Sequence, residues 1–192
     1  METRKQALLE QVIADLVEHG VADLSLRPMA KRIGTSARML VFHFGSKQQL
    51  IAEVFVEMQA RLRASLARLR LDLPPRGGRP LLRVFWDWAT SSENVGHLRL
   101  QYQLQVLAAH NSAVYGRYLY PNATAWLEVV VAALPPGDRD PAFATLIVAV
   151  FDGLFIELMS TDDLARTTRA MDCFIARAHK RRPAGRRRTR TP

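Results

Sequence analysis

The chain has 192 residues, 48% apolar and 23% charged, a balance that excludes a disordered polypeptide and leaves room for one large domain or a small one joined to a larger one. No uninterrupted apolar run reaches bilayer length, and the opening "METRKQALLEQ" has no apolar signal core, so a cytoplasmic protein is expected. The net charge of +9 is concentrated in "KRRPAGRRRTRTP" (180–192), which holds seven cations and no acid; this tail is expected to be disordered and attracted to polyanions.

Helical periodicity recurs nearly everywhere and strand signals are scarce. A first helix is expected over about 4–19, with Leu8, Leu9, Val12, Ile13, Leu16 and Val17 as a wide apolar face and Gly20 as its terminator. Ser25 is expected to cap a short helix over 26–33, with Pro28 in its first turn. A third short helix follows Gly34, over about 36–43, and Ser46 caps a long fourth one over 47–70. "LDLPPRGGRP" (71–80) is the clearest break. Further helices are expected at about 80–91, 97–109, 112–133, 141–160 and 163–180, with Pro121 kinking or interrupting the third of these. "PPGDRDP" (135–141) reads as a loop, and "STDD" (160–163) as an N-cap. Cys173, the single cysteine, excludes an internal disulfide and is expected to be buried as a small hydrophobe.

The stretch "GTSARMLVFHFGSK" (34–47) carries the most chemistry. Ala30, Gly34 and Leu40 supply what a helix-turn-helix needs: a small residue at the crossing, a turn residue free to take positive φ, and an apolar lock in the second helix. Met29, Ile33 and Leu40 are expected to point between the two helices, with Leu8, Val12, Leu24, Phe44, Leu50 and Val54 completing the core. With Leu40 inward, Ser36, Ala37, Arg38, Met39, Val41 and Phe42 lie largely on the other faces. In a DNA major groove, apolar side chains meet thymine methyls and Arg38 can bond guanine. Ser46, the free amides of the next helix and Lys47 suit a phosphate, and Arg27 can reach either a phosphate or a base edge.

Residues 8–55 resemble the DNA-binding domain of TetR-family (tetracycline-repressor-like) transcriptional regulators, through the "HG" ending of the first helix, "LSLRPMAKRIGTS" and "HFGSKQQL". The resemblance implies an all-α protein of about nine helices. A helix-turn-helix domain (1–46) is joined by a long helix to a ligand-binding and dimerisation bundle (47–180), followed by the basic tail (181–192). It implies a DNA face of Arg27, Thr35, Ser36, Ala37, Arg38, Met39, Val41, Phe42, His43 and Lys47. Family members usually have a tyrosine at one of the two positions before His43. Val41 and Phe42 stand there in this chain, so one phosphate contact is expected to be missing. His43 reads as a packing or hydrogen-bonding residue, with direct phosphate contact as the other reading.

All three tryptophans and all four tyrosines fall between positions 86 and 126. Aromatic rings with polar tips line many small-molecule pockets. The candidate contacts are Phe55, Met58, Leu62, Phe85, Trp86, Trp88, Tyr102, Gln103, His110, Tyr115 and Trp126; the resemblance places an effector site among helices four to seven. Phe143, Ile147, Phe151, Leu154, Phe155, Leu158, Met171, Phe174 and Ile175 form apolar faces heavier than one buried stripe requires, and Gly153 permits a close helix crossing. A head that reads half a palindrome gains by pairing, so these residues are expected to form a homodimer interface over about 141–180. The resulting expectation is a homodimeric repressor released from a palindromic operator by a small effector, without cofactor or metal. A ligand-independent or nucleoid-type DNA-binding protein relying on the basic tail is the alternative. An enzyme is disfavoured, because the five histidines are scattered, with neither HExxH nor CxxC.

Overall fold

The computed structural model describes residues 4–22, 24–71, 80–134, 137 and 139–180, and the basic tail and most of the 71–80 break lie outside them. The described elements are all helical: α1 (Arg4–His19), α2 (Leu26–Arg32), α3 (Ala37–Phe44), α4 (Lys47–Leu71), α5 (Leu81–Ala89), α6 (Val95–His110), α7 (Ser112–Ala133), α8 (Pro141–Thr161) and α9 (Leu164–Lys180). They divide into two compact units. One draws on Met1–Leu73 and Ser91–Val129, the other on Pro74–Thr90 and Val130–Pro192.

In the first unit, Leu8, Leu9, Val12, Ile13 and Leu16 of α1 are buried, as the periodicity predicts, and Gly20 ends the helix at φ 75°. Ser25 occupies the N-cap position of α2 but makes no side-chain cap bond. The cause is chemical: the third helical residue is Pro28, which has no N–H to give to a capping hydroxyl. Ser36 and Ser46 do cap, accepting from Met39 N and Gln49 N at 3.1 Å each. Gly34 sits at φ 71° in the turn, where a side chain would be strained, and Thr35 N closes the turn by donating to Ala30 O at 2.8 Å. Met29, Ala30, Leu40, Phe44, Leu50 and Val54 are buried together, with Leu24 and Ile33 packed against them.

The same core runs on through Phe55 and Met58 of α4 into Leu100, Leu104 and Ala108 of α6 and Tyr115 of α7. Nothing in the sequence announced that α6 docks directly on α1. The contact depends on two glycines: a Cβ on Gly20 would stand 3.1 Å from Gln103 Oε1, and one on Gly96 would stand 3.0 Å from Val17 Cγ1. Polar pairs tie the elements further. Lys5 Nζ meets Glu53 at 2.8 Å and lies 5.2 Å from the Phe44 ring centroid. Arg61 bridges Glu57 and Glu10, and its hydrogen bond holds the Glu10 carboxyl below the usual carboxylate range.

Asp15 is a buried carboxylate on α1 that accepts from Arg32 Nε at 2.5 Å and Nη2 at 2.7 Å, locking the end of α2 to α1. Asp15→Asn is expected to lower the melting temperature by about 5 °C and to loosen α2 first, as read by amide hydrogen exchange.

The second unit contains α5, α8 and α9. Trp86, Phe155, Thr167 and Met171 are fully buried. Trp86 Nε1 donates to Thr168 Oγ1 at 2.9 Å, and its ring meets Phe151 edge-on at 5.7 Å. Asp140 caps α8 by accepting from Ala142 N at 3.0 Å, with Pro141 in the first turn. Asp163, within "STDD", caps α9 by accepting from Arg166 N at 2.9 Å.

Three expectations need correction. Helix α7 runs through Pro121, so the proline does not interrupt it. Cys173 is exposed, since it lies on the side of α9 away from Met171 and Ile175. Helix α8, at 21 residues and mean hydropathy 2.0, is by length and composition apolar enough to cross a membrane. Uninterrupted runs miss this because Thr145, Asp152 and Glu157 divide the helix without lowering its average much. Such a helix is weak evidence for a membrane, since core and interface helices of soluble proteins share the property.

Candidate functional site

Helix α3 has an inner side made by Leu40 and Phe44, with Ala37, Met39 and His43 half-buried beside it and Arg38, Val41 and Phe42 open. Arg38, Val41 and Phe42 are exposed, with Phe42 at 77% and Val41 at 43%, while Ala37 and Met39 are half-buried. Thr35 is half-buried and Ser36 exposed at the helix entrance. Arg27 on α2 and Lys47 at the start of α4 are exposed as well. Neither Arg38 nor Lys47 forms an ion pair among the described residues, so both cations are available to an external anion. A short helix therefore offers a cation and two adjacent apolar side chains to solvent, and the arrangement gains nothing for the chain alone. It suits duplex DNA, where an arginine bonds guanine and apolar groups meet thymine methyls. His43 packs edge-on against Phe42 at 5.1 Å, and its Nε2 is buried without a hydrogen-bond partner, turning that edge of the ring away from any phosphate.

The candidate effector residues divide between the units. Phe85, Trp86 and Trp88 lie on α5 in the second unit, where Trp86 is core. In the first, Phe55, Met58 and Leu62 are buried on α4, Tyr102 and Gln103 are half-buried on α6, His110 is exposed, and Trp126 is half-buried on α7. Phe55 and Tyr115 are brought together around a void of about 10 Å³, water-sized at most. Tyr115 also faces a cleft of about 370 Å³, walled by Val21, Ala22 and Leu24, by Lys47, Gln48 and Ile51 of α4, and by Leu107, Asn111 and Val114. Sequence reasoning missed Gln59 and Gln101, buried amides whose Gln59 Nε2, Gln101 Nε2 and Gln101 Oε1 have no partner among the described residues. The available signal was position, since Gln101 follows Leu100 and lies one turn before Leu104 on the buried side of α6. Among the described residues, no group of three or more His, Cys, Asp or Glu is placed to hold a metal ion.

The candidate interface residues are mostly spent inside the second unit. Ile147, Phe155, Leu158, Met171 and Ile175 are buried within the chain, and Phe143, Phe151, Leu154 and Phe174 are partly so. A side chain buried in its own chain has little surface left for a partner. The apolar groups that remain open on α8 are Leu146 at 61% and Ile156 at 51%, aligned with exposed Ala142, Ala149 and Gly153. A Cβ added at Gly153 meets nothing within 4 Å.

Residues 13–54 match the family model described as bacterial regulatory proteins, tetR family. Over 159 residues the chain is 25% identical to the HTH-type transcriptional regulator BetI of Agrobacterium fabrum, covering 80% of this chain and 75% of that one. In fold it is similar to a transcriptional regulator from Rhodococcus sp. Rha1, with TM-score 0.71, 20% identity and 91% and 95% of the two chains covered. It is likewise similar to the multidrug binding protein EbrR in complex with imidazole, with TM-score 0.62, 24% identity and 88% and 93% covered. The matched segment runs from mid-α1 through the helix-turn-helix into α4, the part of the molecule that leaves α3 open, and over that segment the chain is similar to the tetR-family bacterial regulatory proteins.

Proposed function

We propose that the protein is a homodimeric repressor that grips a palindromic operator through two copies of α3 and releases it when a small effector binds. The observation that carries this reading is the exposed side of α3, Arg38 with Val41 and Phe42, fixed by buried Leu40 and followed by unpaired Lys47. Residues 1–46 then bind DNA, and 47–180 bind the effector and the second copy. Two recognition helices must stand about 34–36 Å apart to enter successive major grooves. An effector that tilts α4 changes that separation, so effector and operator oppose each other by linkage, typically by about 1–3 kcal/mol. EbrR, similar in fold, is a multidrug binding protein solved with imidazole, ethidium and proflavin. That likeness supports a ligand-binding body here without naming the ligand. We read the protein as cytoplasmic, with a binding task and no catalysis.

The test is a titration of full-length protein on a duplex selected from a random pool, with and without candidate effectors. A bound effector that leaves duplex affinity unchanged rejects the coupling. Equal affinity for selected and random duplexes, lost on deleting residues 181–192, favours the nucleoid-type reading instead.

For pairing, the exposed stripe Ala142, Leu146, Ala149, Gly153 and Ile156 repeats at alternating four- and three-residue steps, the spacing of a helix-helix seam. Leu146→Glu combined with Ile156→Glu is expected to reduce the particle mass in light scattering to that of one chain, with helicity retained. A dimer that persists in this variant removes the assignment of the seam.

A further inference from the structure

We propose that the cleft between the α1–α2 connection and the α6–α7 junction binds a small amphipathic carboxylic acid, its apolar part against Leu24, Ile51, Leu107 and Val114 and its carboxylate held by Lys47 and Tyr115. The cleft lies wholly within the first unit, and its volume of about 370 Å³ falls at the small end of the range for ligand sites. Among the described lining residues Lys47 is the one ionic group. Tyr115 is 7% exposed as a residue, and its hydroxyl, which has no hydrogen-bond partner among the described residues, is not fully buried and so stays open to solvent. A hydroxyl that water reaches can exchange that water for a ligand oxygen. Burial raises the Tyr115 pKa, so the hydroxyl keeps its proton at neutral pH and can donate it to a carboxylate. Gln48 and Asn111 add amide groups to the wall, while the remaining lining residues are aliphatic. An anionic head with an apolar tail satisfies both halves of this surface; a lipophilic cation meets Lys47 with like charge.

The site has a mechanistic consequence, which rests on the reading that Lys47 takes a DNA phosphate. One ammonium group cannot serve a ligand carboxylate and a phosphate at once. The acid therefore competes with DNA at the grip itself, independently of any change in the distance between recognition helices, and the opposition is reciprocal.

Decanoate, kept below its micelle concentration, is a suitable probe, with 1-decanol as its uncharged counterpart. Isothermal titration of the full chain is expected to give one decanoate per chain and binding of decanol at least about tenfold weaker. Tyr115→Phe is expected to weaken decanoate by about five- to tenfold. Ala22→Trp and Val114→Trp fill the cleft from opposite walls at exposed positions. Each is expected to abolish decanoate binding and to keep the affinity for a duplex selected from a random pool. Absence of decanoate binding, equal binding of decanol, or indifference to both tryptophans overturns the site. In protein that binds both, failure of decanoate to raise the apparent duplex Kd overturns the competition. Duplex affinity is read separately without decanoate, so loss of the DNA-binding reading is seen on its own while the calorimetric titration still decides the cleft.

Discussion

Arg38→Ala combined with Lys47→Ala is expected to weaken duplex binding by on the order of 100-fold or more while leaving the fold intact. An arginine bonded to guanine contributes about 1–3 kcal/mol, and the proposed dimer would lose that twice. Lys47 acts differently. A phosphate contact releases a counterion, so Lys47→Ala alone is expected to lower the slope of log K against log salt by about 0.9 per copy, with little change in sequence preference. Both side chains are exposed and neither has an ion pair among the described residues, so circular dichroism and melting temperature should be unchanged. Fluorescence anisotropy at several salt concentrations separates the two contributions. A double variant that still holds the selected duplex would remove α3 and the α4 start from the interface. Val41 and Phe42, standing where a tyrosine hydroxyl is usual, imply a salt slope already lower by about one contact.

Trp86→Ala is expected to have the largest effect on stability, about 3–5 kcal/mol, or a fall in melting temperature of about 10 °C. Trp86 is fully buried, packs on Phe151 and donates to Thr168, so truncation removes a ring, a hydrogen bond and the support beneath α9 together. Trp86→Phe keeps most of the volume and should lose much less. Thr168→Val isolates the hydrogen bond by leaving a buried indole N–H without a partner. If Trp86 were an effector contact instead of core, its replacement would change ligand affinity with little change in melting, and a thermal melt beside a ligand titration distinguishes the two.

Helix positions were legible because local chemistry sets them. The α1 stripe from Leu8 to Leu16, the terminator Gly20 and the caps Ser36 and Ser46 need no knowledge of the rest of the chain. Ser25 shows how a local rule fails locally, because the proline that marks the helix start also removes the capping donor. The open face of α3 could be read from Leu40 alone, since fixing one inward residue on a short helix fixes the others. Helix α8 could not be read that way. It is apolar on nearly every side, so periodicity does not separate the inward Ile147, Phe155 and Leu158 from the outward Leu146 and Ile156. The clustered aromatics misled for a related reason. Composition groups Trp86 with Tyr115, whereas the fold uses the first to seat α9 and the second to line a cleft. The docking of α6 on α1 is a long-range event whose trace in the sequence is two unremarkable glycines.

That glycine seam has a mechanical meaning. At Gly20 and Gly96 the absence of a glycine side chain lets the Gln103 amide and the Val17 methyl come close to the opposite helix. A displacement of α6 along this seam is expected to be passed in part to α1 and, through the Asp15–Arg32 clasp, to α2. The helix-turn-helix is thereby coupled in position to the helices that pack behind it.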